Sequence, residues 1–355
     1  MVKKNATGQF SGLSCPIPIS EYPAVTLAHG GGGKLSQQLI EKLFVSQFQN
    51  RYLNAQHDGA VFNVEKGKIA FSTDSYVIDP IFFPGGDIGK LAITGTINDL
   101  AMCGALPLYL SVGLIIEEGF PMEDLWKIIV SMKTAADESG VKIITGDTKV
   151  VDRGKADKLF INTAGVGIVP EGITIDPQRA TAGDRIILSG PIAEHGIAIM
   201  SLREGLTFET TIKSDCASLH SLVGRMFEAS KDIHVLRDPT RGGLASALNE
   251  VARKANKGIM IDENLIPVEE SVKGACELLG LDPLYVANEG KLIAFVSPQD
   301  AEKVFSVMKT HPLGKDAVII GEVADDHPGL VVMRTSIGGK RIVDMLSGEQ
   351  LPRIC

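Results

Sequence analysis

The sequence predicts an α+β protein built from two domains. Three observations carry that prediction. The chain has 355 residues, against roughly 100–200 for an ordinary domain. Apolar residues alternate between strand-like runs and helical stripes in both halves. Pro170, Gly172, Pro177 and Gly183 break that alternation near the middle. The implied divisions are an arm at 1–25, a domain at 26–172, a second at 173–337 and a flexible tail at 338–355.

The elements follow in order. Residues 1–25 are polar with several prolines and read as an irregular arm. Gly30–Gly33 precede an amphipathic stretch in which Leu35, Leu39, Leu43 and Phe44 recur at helical spacing. Lys68–Ile78 reads as a strand. Ile88–Cys103 reads as a helix, with Ile93, Ile97, Leu100 and Ala101 on one face. Leu106–Glu117 is a strand. Met122–Ser139 is a helix with the stripe Leu125, Ile129, Met132 and Ala136. Val141–Val150 and Lys158–Val169 are strands. In the second half, Arg185–Ser189, Leu292–Ser297, Ala317–Val323 and Leu330–Arg334 read as strands. Helices are expected over Gly196–Arg203, Ala217–Ala229, Gly243–Ala255, Glu269–Leu279 and Pro298–Met308. Gly338, Gly339 and Gly348 make the end of the chain a flexible tail.

Composition excludes several classes. The 35 basic and 43 acidic residues leave a formal charge of −8, with no surplus to neutralise a nucleic-acid backbone. No apolar run reaches ~18 residues, so no membrane span is expected. Met1–Phe10 lacks the apolar core of a signal peptide. The cysteines are Cys15, Cys103, Cys216, Cys276 and Cys355, with no CxxC pair. That pattern excludes a disulfide scaffold and a simple zinc site, and fits a cytoplasmic protein. The first four are expected to pack as small hydrophobes. Cys355 is the last residue, a placement that five cysteines in 355 residues produce by chance in roughly one chain in seventy. A thiol on a frayed end is suited to carrying a covalent group.

Four constellations could carry chemistry. His29-Gly30-Gly31-Gly32-Gly33-Lys34 runs into a helix start, where bare amides and the helix dipole favour an anion such as phosphate. It lacks the frame of a Walker A loop, and a hinge would read the same way. Asp58, Asp74, Asp99 and Asp238 sit at element ends, where carboxylates hold Mg²⁺ with substrate phosphates. Taken singly, each is more often a cap or turn residue than a ligand. Thr145-Gly146-Asp147-Thr148-Lys149 ends an apolar strand with an acid, a hydroxyl and a lysine. Asn288-Glu289-Gly290-Lys291 precedes another strand, and its acid is either a general base or a turn residue.

Taken together, the motifs resemble one family. They are His29–Lys34, Thr73-Asp74-Ser75, Pro84–Gly89, Asn98–Ala105, Gly146–Val150, Asp238–Leu244, Ala287–Lys291 and the terminal Pro352-Arg353-Ile354-Cys355. The chain is similar to the HypE family of hydrogenase maturation proteins, within the aminoimidazole-ribonucleotide-synthetase-like (PurM-like) superfamily. Selenophosphate synthetase and thiamine-monophosphate kinase share the aspartate motifs, and the Pro-Arg-Ile-Cys ending discriminates. The resemblance implies a two-domain PurM-like architecture with a C-terminal α/β sandwich domain. It also implies a homodimer whose N-terminal sheets close into a shared β-barrel. ATP and Mg²⁺ would occupy the cleft. HypF would carbamoylate Cys355, and the protein would dehydrate the S-carboxamide to a thiocyanate. A HypC–HypD complex would accept the cyanide for the [NiFe] hydrogenase.

By similarity, Asp58, Asp74, Asp99 and Asp238 are the metal residues. Gly31, Gly32, Lys34 and Asp147 join them around the nucleotide. Lys149 touches the phosphoryl group or activates the amide. Glu289 is the base for the nitrogen proton, with His29 and Asp147 as alternatives. Two competing readings are a synthetase or kinase acting on a free small molecule, and a non-catalytic carrier of a group on Cys355.

Overall fold

A computed structural model describes residues 22–26, 29, 38–50, 67–206, 212–345 and 354–355. The arm at 1–21 therefore lies outside the described residues, as do Gly31, Gly32, Lys34 and Asp58. The strands of the first half are β1 (Lys68–Tyr76), the short pair β2 (Phe82–Phe83) and β3 (Gly86–Asp87), β4 (Leu106–Glu117), β5 (Lys142–Val151) and β6 (Leu159–Val169). Four of them form a sheet in the order β1-β6-β4-β5. The β4–β5 pair is parallel, joined through the helix Met122–Glu138, and the other pairs are antiparallel.

The helix Ile88–Met102 packs on one face of this sheet. Its start is fixed by Asp87, whose Oδ1 accepts the amides of Gly89 (2.7 Å) and Lys90 (3.1 Å). Burial, chiefly, pushes the Asp87 carboxyl up to about 6. Almost every side chain of this helix is buried, because the helix Met122–Glu138 and the second half together cover the faces that the sheet does not. On β1, Ser72 and Tyr76 face the helix, bonding Asp99 and Thr96. Ile69 and Phe71 alternate to the opposite face and are 53% and 68% exposed.

The second half adds β7 (Arg185–Leu188), β8 (Ile233–Arg237), β9 (Gly258–Asp262), β10 (Ile293–Val296), β11 (Val318–Ala324), β12 (Val331–Arg334) and β13 (Lys340–Ile342). They form a seven-stranded sheet in the order β13-β12-β9-β11-β7-β10-β8. Leu244, Leu248 and Val251 of the helix Gly243–Ala255 fill one face. Leu222, Val223 and Met226 of the helix His220–Ala229, with Val304 and Met308 of Ala301–Lys309, fill the other. Ala101 and Met102 join that second core, so the first long helix ties the two halves together.

Several expectations need correction. The sequence reading contained no strands at 233–237, 258–262 or 340–342. The β9 strand has an inner place in the sheet and is buried on nearly every residue, so it shows no two-residue alternation. The helix expected from Ala217 begins at His220. The Asn98 side chain captures the Ala217 carbonyl and the Leu219 amide and holds the preceding turn open. The helix expected from Gly196 begins at Glu194, and that expected over Pro298–Met308 spans Ala301–Lys309. Cys103 is exposed just after a helix end and is no packing residue, whereas Cys216 and Cys276 are buried. The tail is not free from residue 338. Lys340–Ile342 pairs with β12, Val343 is buried, and Ile354 and Cys355 are only 3% and 7% exposed.

Candidate active site

The last two residues lie in a cleft between the halves, within the same apolar cluster as Ile78, Ile199, Cys216 and Ala287. Three hydrogen bonds hold them. The Val77 amide, just past β1, donates to a main-chain carboxylate oxygen of Cys355 at 3.1 Å. The ring of His195, in the first turn of the helix Glu194–Arg203, bonds the Ile354 carbonyl at 2.7 Å. Arg241 Nε donates to Cys355 Sγ at 3.0 Å. Arg241 sits in the loop between β8 and the helix Gly243–Ala255, so both sheets contribute strand ends to the site. Burial above all, then the charge of Glu289, pushes the Cys355 thiol up to about 12, with Arg241 opposing.

Glu289 faces this sulfur environment from the loop before β10. It is 4% exposed, and its Oε1 is buried without a hydrogen-bond partner among the described residues. Burial and the charges of Asp215, Asp238 and Asp74 hold its carboxyl well above the ordinary range, with Arg241 pulling the other way. The loop is built to keep it there. Asp215 accepts the amides of Glu289 (3.0 Å) and Gly290 (3.2 Å). Lys291 pairs with Glu194 at 2.8 Å and Asp215 at 3.5 Å. Asn288 accepts the Ala193 amide at 2.7 Å and donates to the Pro239 carbonyl at 2.9 Å. At Gly290 an added Cβ would stand 1.9 Å from the Asp215 carbonyl oxygen, so no side chain fits.

The aspartates expected at element ends share one electrostatic field. Asp99 accepts the Ser72 hydroxyl at 2.7 Å, and burial, then Asp74, pushes its carboxyl up. Asp238 is pushed up to about 6, by burial first and then by Asp99, with Asp74 adding to it. Carboxylates that raise one another suit a cation brought in with phosphate oxygens. Among the described residues no three His, Cys, Asp or Glu side chains form a ready-made metal cage.

Asp147 and Lys149 are not brought to this cleft by their own chain. They lie on β5, three strands from β1, or about 14 Å at ordinary strand spacing. Strand register puts Asp147 beside Gly113 and Lys149 beside Ile115. The row Ser75, Asn162, Gly113 and Asp147 lies on the face opposite Asp74. Both side chains are mostly exposed, 3.4 Å from each other. His29 is buried, with its Nδ1 engaged by Thr26 and its ring edge-on to Tyr22.

Sequence reasoning missed His195 and Asp215, and it met Asn98 and Lys291 only inside motifs, without a role. No local spacing marks them. Arg241 was visible only as part of the Asp238–Leu244 motif.

Comparisons with known proteins agree with this layout. A model of the N-terminal domain of AIR synthase related proteins matches residues 56–169, and one of their C-terminal domain matches 181–333. Carbamoyl dehydratase HypE of Bradyrhizobium diazoefficiens is 58% identical over 333 residues, covering 93% of this chain and 96% of that protein. A crystal structure of hydrogenase maturation protein HypE in complex with ATP superposes with a TM-score of 0.90 at 48% identity, covering 93% and 99% of the two chains. A HypE–HypF complex superposes at 0.77 with 50% identity, covering 87% and 99%.

Proposed function

The chain belongs to the HypE family of carbamoyl dehydratases, and on that premise we propose that its cleft dehydrates a carboxamide carried on its own Cys355. The observation that carries the reading is the docked tail, with Cys355 Sγ 3.0 Å from Arg241 Nε and in the field of Glu289. A thiol held up at about 12 is no nucleophile at neutral pH, which fits a sulfur that arrives already substituted.

The reaction needs a leaving group where an amide has none. Attack of the amide oxygen on the γ-phosphoryl group of ATP, with loss of one N–H proton, gives an O-phosphorylated imidate and ADP. Cleavage of the C–O bond then releases phosphate, which carries the second nitrogen proton away, and leaves –S–C≡N. Glu289 takes the first proton. Burial and the neighbouring carboxylates hold its carboxyl well above the ordinary range, and a carboxylate so raised is a stronger base than a free one. Arg241 steadies the sulfur end. Asp74, Asp99 and Asp238, with Asp58, Gly31, Gly32 and Lys34, would hold ATP and its Mg²⁺. When bound, that ion offsets the charge on the phosphoryl oxygens.

Asp147 and Lys149 enter through a second subunit. The sheet face from which they project carries the exposed Ile69, Phe71 and Ile115. Covering that face with a second copy would make the barrel of a homodimer and bring one subunit's β5 toward its partner. The HypE–HypF structure supports HypF as a partner; HypF is the proposed carbamoyl donor and a HypC–HypD complex the proposed acceptor. A cytoplasmic location suits cysteines without a pairing pattern. Among the described residues no helix is long and apolar enough to cross a membrane.

The test is to incubate the carbamoylated protein with Mg–ATP and weigh its C-terminal peptide. The reading requires ATP-dependent loss of one water mass at Cys355 and none in Cys355→Ala. An unchanged mass would sink it.

A further inference from the structure

We propose that His195 is a positioning residue that latches the tail in the cleft, its Nε2–H donating to the Ile354 carbonyl. The inference deepens the proposed function, and its test reads tail position without any turnover.

The hydrogen-bond roles fix the ring. A carbonyl only accepts, so Nε2, 2.7 Å from the Ile354 oxygen, carries the proton. That leaves Nδ1 as an acceptor facing Ser214 Oγ at 2.8 Å. Ser214 can serve it, because its oxygen already accepts the Cys216 amide at 3.1 Å and its hydroxyl hydrogen is free to point at the ring. A relay thus runs from Cys216 N–H through Ser214 and His195 to the tail. Burial lowers the His195 pKa and keeps the ring in this neutral form. The ring is fully buried, and Phe83 packs edge-on against it at 5.6 Å between centroids.

The chemistry of the latch follows from what it touches. His195 and the Val77 amide bind main-chain oxygens, the Ile354 carbonyl and the Cys355 carboxylate. Neither contact involves sulfur. Docking by main chain is indifferent to whether the sulfur bears hydrogen, a carboxamide or a nitrile. Arg241 hydrogen-bonds the sulfur itself. The substituent can therefore change while the tail stays seated.

Alkylation by iodoacetamide reads tail position, because a buried thiol must leave the cleft to react. The full-length protein is sampled over time and cleaved after Glu349, and the terminal peptide is weighed. Cys103, which is exposed, is the internal reference. His195→Leu should alkylate at Cys355 about tenfold faster, the shift expected for one buried hydrogen bond, with the Cys103 rate and melting temperature unchanged. His195→Gln, whose amide can reach the same carbonyl, should stay within about threefold of wild type. A folded Leu variant alkylated at the wild-type rate overturns the latch, as does a Gln variant as fast as Leu. If the Leu variant melts early, Ser214→Ala decides. It removes the donor to Nδ1 and should raise the rate about threefold; a wild-type rate overturns the proposal.

Discussion

Glu289→Gln should separate catalysis from stability, moving them in opposite directions. The substitution keeps the shape of the side chain and removes its ability to accept a proton. Loss of a positioned base costs about 10²–10⁴ in turnover, or about 2.7–5.4 kcal/mol at 1.36 kcal/mol per decade. Stability should respond the other way. Burial and the nearby Asp215, Asp238 and Asp74 disfavour the ionised form, so the folded-state pKa lies above the unfolded one. Such a group stabilises fully below its unfolded pKa, and that contribution is lost as pH rises through the folded pKa. The Gln variant escapes this loss. It should melt above wild type at pH 8, and the gap should close below about pH 4. The assay is single-turnover mass loss on the carbamoylated tail, with melting followed from pH 4 to 8. Wild-type turnover should itself fall on the acid side, with a midpoint above the usual carboxylate range. Turnover within threefold of wild type in the Gln variant would refute Glu289 as the base. So would equal melting curves at every pH, since they would mean that the carboxylate feels no penalty.

Three further outcomes follow from the same geometry. Asp74→Asn should abolish ATP turnover while leaving the far-ultraviolet spectrum unchanged, and retained turnover would remove Asp74 from the nucleotide site. Gly290→Ala should destabilise by about 1–3 kcal/mol, because its Cβ meets the Asp215 carbonyl at 1.9 Å; chemical denaturation checks this, and a neutral result would mean the loop shifts freely. Finally, Lys149→Ala and Glu289→Gln should each be inactive alone, yet regain activity when their subunits are mixed. Absence of complementation in confirmed mixed dimers would overturn the placement of Lys149 in the partner's cleft.

Much of this was legible from residue order. The Ile93, Ile97 and Leu100 stripe announced the helix that runs from Ile88 to Met102. Asp74, Asp99 and Asp238 were visible at element ends, and the identity of the final residue pointed to Cys355. What stayed hidden was set by distant contacts. The role of His195 depends on Ser214, 19 positions away, and on a carbonyl 159 positions away. Asp215 matters because it reaches a loop 74 positions on. The types of Asp147 and Lys149 were plain, but their face was not. A strand alternates every residue, so a one-residue change of register would have sent them to the other side of the sheet. That parity emerged only once β4, β5 and β6 were paired.

The segment Ser214-Asp215-Cys216 has a thermodynamic consequence. Ser214 completes the relay to the tail, and Asp215 carries the amides of the base loop. The Ser214 amide is itself bonded to the Pro84 carbonyl of the first half at 2.8 Å. Tail seating and base placement hang from neighbouring residues of one strap, so their free energies are coupled. Reciprocity then holds between them: whatever factor a seated tail contributes to ordering Glu289, an ordered Glu289 loop returns to seating the tail.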